Sequence, residues 1–307
     1  METFLFYFTN LGLPALVILT LAKAKYKSRA GIISAALLMS ALLLFLYLWG
    51  QYSLVISHYF RYFLLVLITL TLWKAFKKWK LTESSLPNSF FSYLKFSLSA
   101  IVGILFSVLS FYAIQGQSYD TNAVELKFPL KSGNYYISSG GNSSVINNHF
   151  RNYPNSQQFA LDINKINAVG YVSSTLMSSS SETHFIFGED VYCPCSGTVM
   201  ESQNDVPDNM QTSMQVDHEF GKGNFIALNC DNNIITLMHL QEGSVLAQRG
   251  QNVVFGQPLG KIGNSGFSME PHLHIQAAKY QNDSTLVGIP IQFEGQELVR
   301  NDLVKAN

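Results

Sequence analysis

Two histidines lie one residue apart in the stretch Pro271-His272-Leu273-His274-Ile275, an apolar run that predicts a β-strand. Because side chains alternate between the faces of a strand, His272 and His274 share one face while Leu273 and Ile275 share the other. Two imidazoles on one face can share a metal ion, or one can ligate while the other transfers a proton. The spacing alone also allows a plainer interpretation, with one histidine on the surface and the other hydrogen-bonded in the core.

Further groups that can bind metal or carry protons lie upstream. Asp162 lies in the otherwise apolar stretch Phe159–Ile163, where an unpaired carboxylate is costly to bury. His239 ends another predicted strand, Ile234–His239. One carboxylate and three histidines on β-strands are suitable zinc ligands and proton shuttles.

The elements that must position these groups are short strands. From Asn122 onward, short apolar alternations are interrupted by Gly, Asn, Ser and Asp, a rhythm typical of a β-rich domain. The predicted strands are Val124–Phe128, Tyr135–Ser138, Phe159–Ile163, Gly197–Ser202, Asn224–Leu228, Ile234–His239, Leu259–Ile262 and His272–Ala277. This part of the chain, about 190 residues, is long enough to bury a core of its own.

The first third of the chain is very apolar. Four apolar stretches, residues 3–22, 30–49, 59–75 and 93–114, predict about four transmembrane helices within residues 1–115. Lysine and arginine cluster between the first and second stretches and between the third and fourth, which predicts that both loops are cytoplasmic. The N-terminus and everything after about Gly116 are then expected outside. We expect the helices to be an anchor, with a sensory or transport role as the alternative, because no acidic residue in them indicates a transport pathway.

The net charge of zero conceals a division of the chain. Up to Gln115 there are 10 Lys/Arg and 2 acidic residues, and from Gly116 onward there are 10 Lys/Arg and 18 Asp/Glu. The basic residues lie beside hydrophobic stretches and not on an aromatic-interleaved groove, which argues against nucleic-acid binding. The predicted organisation is a membrane region (1–115), a linker with the first strand (116–128), a β domain (129–292) and a C-terminal tail (293–307).

The three cysteines are Cys193, Cys195 and Cys230, all in the part expected outside the cytoplasm, where disulfides can form. Because their number is odd, we predict that Cys230 pairs with either Cys193 or Cys195 and that one thiol is left over. A Cys-Pro-Cys metal site is the alternative, but it would be incomplete. His184 and His218 lie in polar, loop-like stretches and are expected on the surface.

The order and spacing of these stretches resemble the lysostaphin-like, LytM-type zinc metallopeptidases, which cut peptide cross-links of bacterial cell walls. The resemblance covers about Pro129 to Gln292. It rests on the Asp162 strand and on Gly197-Thr198-Val199, Gly223-Asn224, Met238-His239-Leu240, Gly256-Gln257, Gly263-Asn264-Ser265-Gly266 and Pro271-His272-Leu273-His274. It implies a mainly-β domain of antiparallel sheets, a β-sandwich of the duplicated-hybrid-motif peptidase type.

The resemblance also implies one zinc ion and a division of roles among the site residues. Asp162 and His274 correspond to zinc ligands, and His239 and His272 correspond to the catalytic histidines. Zinc would polarise the scissile carbonyl and activate water, while two histidines can accept a proton, stabilise the oxyanion and protonate the leaving amine.

The third metal ligand departs from the family pattern. The family usually has a histidine four residues before the aspartate, and this sequence has Gln158 there, a poor zinc ligand. His149, nine residues before Gln158 and in a loop, is the nearest replacement. We therefore expect His149 to be the third ligand, and the alternative is Gln158 as a weak ligand or as a group that orients one.

The resemblance implies a membrane-anchored zinc metalloendopeptidase that cleaves peptide cross-links or stems of peptidoglycan. The alternative is a catalytically inactive LytM-like domain that binds the cell wall or regulates another wall hydrolase. The expected location is the cell membrane, multi-pass, with the C-terminal domain in the periplasm or on the cell surface. Expected partners are peptidoglycan, the lipid bilayer and other cell-wall or division proteins.

Overall fold

The structure is a computed structural model that describes residues 6–23, 28–83, 86–87, 89–119, 122–150, 155–176, 178–212, 221–282 and 285–307. The chain divides into two compact units, Met1–Gln115 and Gly116–Asn307. The described part of the first unit is helical, and that of the second consists mainly of β-strands.

The helices of the first unit are Leu13–Lys23, which continues a π-helical turn at Phe8–Gly12, then Arg29–Trp49, Phe60–Leu81 and Phe90–Gln115. Helix Arg29–Trp49 begins at a capping serine, because the Ser28 hydroxyl accepts a hydrogen bond from the Gly31 N–H at 3.2 Å. Helices Arg29–Trp49 and Phe90–Gln115 approach closely at Gly103. A Cβ atom at Gly103 would lie 2.9 Å from the Leu38 nitrogen, so a larger residue there would push the two helices apart.

Two of the described helices, Arg29–Trp49 and Phe90–Gln115, are long and apolar enough to cross a membrane. The prediction of about four spans is therefore wrong for the other two stretches. Within the described residues, the apolar helix of the first stretch, Phe8–Thr20, is shorter than the roughly 20 residues that a span needs. Helix Phe60–Leu81 is 22 residues long, but its second half carries four lysines, so only its first half is apolar: Lys74, Lys77, Lys78 and Lys80.

The strands of the second unit, in chain order, are β1 (Val124–Leu126), β2 (Gly133–Ser139), β3 (Leu161–Ile166), β4 (Asp190–Tyr192), β5 (Gly197–Gln203), β6 (Asn224–Cys230), β7 (Asn233–Leu240), β8 (Asn252–Val253), β9 (Pro258–Lys261), β10 (Leu273–Tyr280), β11 (Leu286–Ile289), β12 (Ile291–Phe293), β13 (Gln296–Glu297) and β14 (Leu303–Ala306). The main sheet has nine strands in the order β14-β2-β3-β10-β7-β6-β5-β8, with β11 also paired to β10. Strands β1, β12 and β13 form a second sheet, and β4 and β9 form a third.

The mainly-β, antiparallel character expected for this unit is confirmed. Each of the eight predicted strands is present, with its ends shifted by at most three residues, and the pairing is antiparallel except between β1 and β12. The strands that the pattern does not predict are two to four residues long, too short for an alternation to be recognised. One of them, β14, pairs with β2, so the sheet extends beyond Gln292.

The two faces of the main sheet have different compositions. Leu161 and Ile163 of β3, and Leu273 and Ile275 of β10, are fully buried in one apolar core, which also receives side chains from both smaller sheets. Because alternate side chains point to opposite faces, the polar residues between them lie on the other side of the sheet. The apolar face therefore fixes which residues the outer face presents.

Cys195, just before β5, forms a disulfide with Cys230 at the end of β6, and Cys193 is a free, buried cysteine. Of the two pairings that the sequence allows, the structure contains this one. The prediction that His184 lies on the surface is wrong. Its side chain is buried in its loop, with Nδ1 3.1 Å from the Ser180 carbonyl oxygen. His218 lies outside the described residues.

Candidate metal centre

The pairing of β3 with β10 places Asp162 directly opposite His274. Directly opposed residues of an antiparallel pair project from the same face with their Cβ atoms about 5 Å apart. Here His274 Nδ1 lies 3.0 Å from Asp162 Oδ1. Strand β7 pairs with the other edge of β10 and aligns Met238 with His274, so that His239 arrives beside His274 with 5.9 Å between ring centroids.

His149 reaches the same carboxylate from the loop between β2 and β3. Its Nε2 lies 2.8 Å from Asp162 Oδ2. The loop is shaped by the fully buried side chain of Asn147, whose Oδ1 accepts from the His149 N–H at 2.9 Å and whose Nδ2 donates to the Gln158 carbonyl at 3.1 Å. Asn155 Nδ2 donates to the His149 carbonyl at 2.7 Å. The N–H and the carbonyl of His149 are therefore both hydrogen-bonded, which fixes the backbone that carries the imidazole.

His239 is held at the end of β7 in an unusual backbone conformation. Its φ of 62° lies in the left-handed region, which costs energy for a residue with a side chain. Its Nδ1 lies 2.9 Å from the Ser265 carbonyl oxygen. Because a carbonyl can only accept, Nδ1 carries the hydrogen and Nε2 is left with a free lone pair. The ring lies next to that of His272, with 4.9 Å between centroids.

His272 lies immediately before β10 and is anchored in the same way. Its Nδ1 donates to the Glu270 carbonyl at 2.8 Å, so in the neutral form of the ring the lone pair lies on Nε2. That Nε2 lies 3.6 Å from Asp162 Oδ1. In their neutral forms, both histidines therefore present an Nε2 lone pair, close to the Asp162 carboxylate for His272 and beside His272 for His239.

The charges around Asp162 control its ionisation. Burial raises the pKa of this carboxyl, but His149 and His272 nearby, with hydrogen bonds from His149 and His274, outweigh burial and hold the pKa well below its usual range. Burial first, and then electrostatic interactions with His272 and His274, hold the pKa of His239 well below its ordinary value of 6.5. At neutral pH, Asp162 is a carboxylate and His239 a neutral base.

A metal ion fits the groups around Asp162. One ligand atom from each of His149, Asp162 and His274 lies within 4.8 Å of the others. Two donors of a tetrahedral zinc ion, each about 2.0–2.2 Å from the metal, are roughly 3.3 Å apart. Two imidazoles and one carboxylate also match the donor type of catalytic zinc sites, which keep a fourth position open.

The contacts of His274 also suit a bound cation. Its Nδ1 lies 3.0 Å from Asp162 Oδ1, and its Nε2 lies 3.1 Å from Gln276 Oε1, so both ring nitrogens meet acceptor oxygens. A neutral imidazole has one N–H and can satisfy only one of them. Either a second proton or a metal ion must therefore balance the other contact. A zinc ion held by His274 Nδ1 would leave Nε2–H to donate to Gln276, and both contacts would be satisfied.

The structure brings together all five residues that the sequence predicts for the site: His149, Asp162, His239, His272 and His274. Gln158 lies in the turn before β3 and supports the loop through its carbonyl, which accepts from Asn147 Nδ2. The choice between His149 and Gln158 as the third ligand stays a prediction.

Gln276 is absent from the sequence-based predictions, although a signal for it exists. The strand period of two places it on the same face as His272 and His274. Its side chain is buried, and its Nε2 lies 3.5 Å from the Ser156 hydroxyl oxygen while its Oε1 accepts from His274. Such partners orient ligating imidazoles and fix which nitrogen is free.

Residues 183–286 match the sequence model of Peptidase family M23. Among solved structures, the chain is similar to the NMR solution structure of lysostaphin, with 27% identity over 33% of this chain and 37% of that chain and a TM-score of 0.25. It is similar to the antimicrobial peptidase lysostaphin from Staphylococcus simulans, with 21% identity, 50% and 47% coverage and a TM-score of 0.30. It is also similar to a zinc containing peptidase from Vibrio cholerae, with 18% identity, 59% and 39% coverage and a TM-score of 0.30.

The chain spans less than half the length of each of these three structures. None of the curated proteins compared with the chain matches it. The family match includes His239, His272 and His274 but begins after His149 and Asp162. A peptidase is therefore supported by the family match and by the geometry of the centre, and part of that centre lies outside the matched segment.

Proposed function

We propose that the β unit is a zinc-dependent endopeptidase that hydrolyses peptide cross-links or stems of bacterial peptidoglycan. The observation that carries this proposal is the convergence of His149, Asp162 and His274 on one point, beside two histidines with free Nε2 atoms. The match to Peptidase family M23 supports peptide-bond hydrolysis. The substrate class rests on the motifs that resemble lysostaphin-like enzymes.

His149 Nε2, an Asp162 carboxylate oxygen and His274 Nδ1 would hold the ion. When bound, zinc polarises the scissile carbonyl and lowers the pKa of water towards about 7. The protein keeps Asp162 ionised, and because Gln276 can accept the hydrogen on His274 Nε2, Nδ1 is the nitrogen that would ligate in place of its contact with Asp162. These contacts prepare the donors before an ion arrives.

His239 and His272 are the proposed proton carriers. Hydrolysis forms a C–O bond, breaks the C–N bond and moves a proton from water to the leaving amine. A neutral imidazole can accept this proton at Nε2 and release it again. The low pKa of His239 keeps its Nε2 in the basic form, which suits it to accept the proton. His272, with Nε2 3.6 Å from Asp162, is suited to stabilise the oxyanion or protonate the amine.

The proposed location is the cell membrane, with the β unit outside the cytoplasm in the periplasm or at the cell surface. The two long apolar helices, the four lysines in the second half of helix Phe60–Leu81 and the disulfide between Cys195 and Cys230 support this location. In that position the helices contact the lipid bilayer, and the β unit can meet peptidoglycan and other cell-wall or division proteins.

A second candidate function is a catalytically inactive LytM-like domain that binds the wall or regulates another hydrolase. Gln158 favours this candidate, because the family usually has a ligand histidine at its position. Proximity of His149 to Asp162 favours the enzyme, because a binding domain has no need for a third imidazole at that carboxylate.

The test is to purify the full chain in detergent and measure its zinc content and its action on cell-wall sacculi. We expect about one zinc per chain and release of new amino groups, lost on treatment with a chelator and restored by zinc. Zinc binding without cleavage would support the regulatory candidate. Absence of zinc binding would overturn the metal centre itself.

A further inference from the structure

Arg300 is a buried arginine that none of the motifs includes. Its side chain is 5% exposed, and it lies just before β14, after the end of the segment that matches Peptidase family M23. Burying a guanidinium is expensive unless its donors are satisfied, so its contacts need an explanation.

The guanidinium holds the loop that carries His149. Its Nε donates to the Ile146 carbonyl at 2.6 Å, and one terminal nitrogen donates to Asn148 Oδ1 at 3.0 Å. Ile146 and Asn148 flank Asn147, whose side chain accepts from the His149 N–H. Arg300 therefore hydrogen-bonds the residues on both sides of Asn147, the residue whose side chain shapes the turn into His149.

Arg300 is itself fixed to the strand from which this loop departs. Its N–H donates to the Gly140 carbonyl at 3.2 Å, and the next residue, Asn301, donates to the Ile137 carbonyl at 2.7 Å. Both acceptors lie at the end of β2, so the arginine spans from the sheet to the loop. A planar guanidinium can make the two divergent hydrogen bonds at once, whereas a lysine ammonium on a flexible stem cannot reproduce this geometry.

We propose that Arg300 is a positioning residue for His149, and thereby part of what makes a loop-borne metal ligand possible. This inference rests on the proposed metal centre. Burial lowers the pKa of Arg300 to about 10, while attraction to Asp162 opposes that shift, so the guanidinium stays charged at neutral pH. Losing the two contacts frees the Ile146–Asn148 turn and lets the His149 imidazole leave Asp162.

The test compares zinc dissociation constants of the full chain by chelator competition in three variants. Arg300→Lys should weaken zinc binding by about 10- to 100-fold, the effect typical of losing a group that orients a ligand. Asn148→Ala removes one of the two contacts and should have a smaller effect. Arg249→Lys is the matched control, because Arg249 is exposed in a loop, and it should leave the constant unchanged. If Arg300→Lys fails to fold, Asn148→Ala carries the test.

The absorption spectrum of bound Co²⁺ reports which residues coordinate the metal, and it can therefore show whether Arg300 positions His149 or only stabilises the fold. At saturating Co²⁺, the absorption spectrum of Arg300→Lys should move towards that of His149→Ala, and the double variant should match His149→Ala alone, as expected if Arg300 acts through His149. Zinc binding by the wild type that neither Arg300→Lys nor Asn148→Ala weakens would overturn the role of Arg300 alone. Absence of zinc binding by the wild type would overturn the metal centre and this inference together.

Discussion

The two ligand-bearing regions of the proposed metal centre are built by different means. Asp162 and His274 lie on neighbouring strands as a directly opposed pair, so the sheet register alone brings their side chains together. His149 lies in a loop and is placed by side chains from elsewhere, Asn147 within the loop and Arg300 near the end of the chain. The strand ligands depend on apolar alternation, and the loop ligand depends on a polar network.

This difference indicates which changes each region tolerates. The strand register is protected because a shift of one residue would turn the apolar side chains of β3 out of the core. The loop has no such protection, since its hydrogen bonds can be removed singly while the sheet persists. Substitutions in the loop should therefore lower metal retention while the sheet stays folded, whereas those in the strand region should act on the ligands themselves, on their orientation or on the chemistry beside them.

The largest expected effect concerns a residue beside the strand pair that does not hold metal. His272→Ala should lower kcat on cell-wall sacculi by about 10²- to 10⁴-fold, because it removes a proton-carrying group. Zinc content should stay near that of the wild type, since His149, Asp162 and His274 remain. Amino-group release and zinc content are measured on the same sample, and a parallel loss of zinc would move His272 from the chemistry to the metal.

The next effect tests the loop directly. His149→Ala should weaken zinc binding by more than the roughly 100-fold upper range seen for orienting groups, because a ligand itself is lost. Gln158→Ala should leave zinc binding largely intact, since the main-chain carbonyl of residue 158, which supports the loop, is retained. Chelator competition measures both constants. The reverse order of effects would assign the third ligand to Gln158.

A moderate effect is expected from Gln276, whose oxygen accepts from His274 Nε2. Gln276→Leu removes that acceptor, so His274 can place its hydrogen on Nδ1, the nitrogen that should ligate. Zinc affinity should fall by about 10- to 100-fold. Gln276→Glu keeps an acceptor and should restore most of the affinity. Equal affinities in the Leu and Glu variants would show that this hydrogen bond does not govern the metal.

The smallest effect concerns stability against pH in the metal-free protein. Folding lowers the pKa of His239. Below about pH 6.5 the unfolded chain therefore binds a proton at this residue that the folded chain does not bind. Stability should therefore fall as pH decreases below 6.5, by at most about 1.4 kcal/mol per pH unit for this one group.

His239→Gln should flatten this dependence of stability on pH. The urea midpoint between pH 7 and about pH 5, measured with a chelator, gives the slope. The depressed pKa of Asp162 acts in a lower window, because its stabilisation is complete above about pH 4 and is lost only as pH falls further. An unchanged slope in His239→Gln would contradict the low pKa of His239.

The sequence could predict the strand region because both of its ligands interrupt apolar alternation. Asp162 and His274 each lie between core residues, and the period of two assigns them to the outer face. The cysteine pairing could not be chosen, because Cys193 and Cys195 are separated by one residue. The register of β5 on β6, which aligns Thr198 with Asn229, accompanies the bridge from Cys195 to Cys230.

Arg300 could not be predicted, for a different reason. No local pattern links a residue in an apparent C-terminal tail to a loop more than 150 positions earlier. Apolar length without regard to charge overestimates the number of membrane spans at the third stretch. Helix Phe60–Leu81 contains both the apolar stretch and the four lysines, so the apolar part is shorter than the helix.

The direct pairing of Asp162 with His274 makes the metal a reporter of folding. If β3 slipped by one residue against β10, Asp162 would turn into the apolar core and no pair of donors would remain for an ion. At the proposed centre zinc would bind the native register and not the slipped one, so zinc would stabilise the native register by mass action, by about 2.7 kcal/mol at 100 times the dissociation constant. A chain that folds where zinc is scarce would lose this selection, and its correctly and incorrectly paired sheets would differ less in free energy.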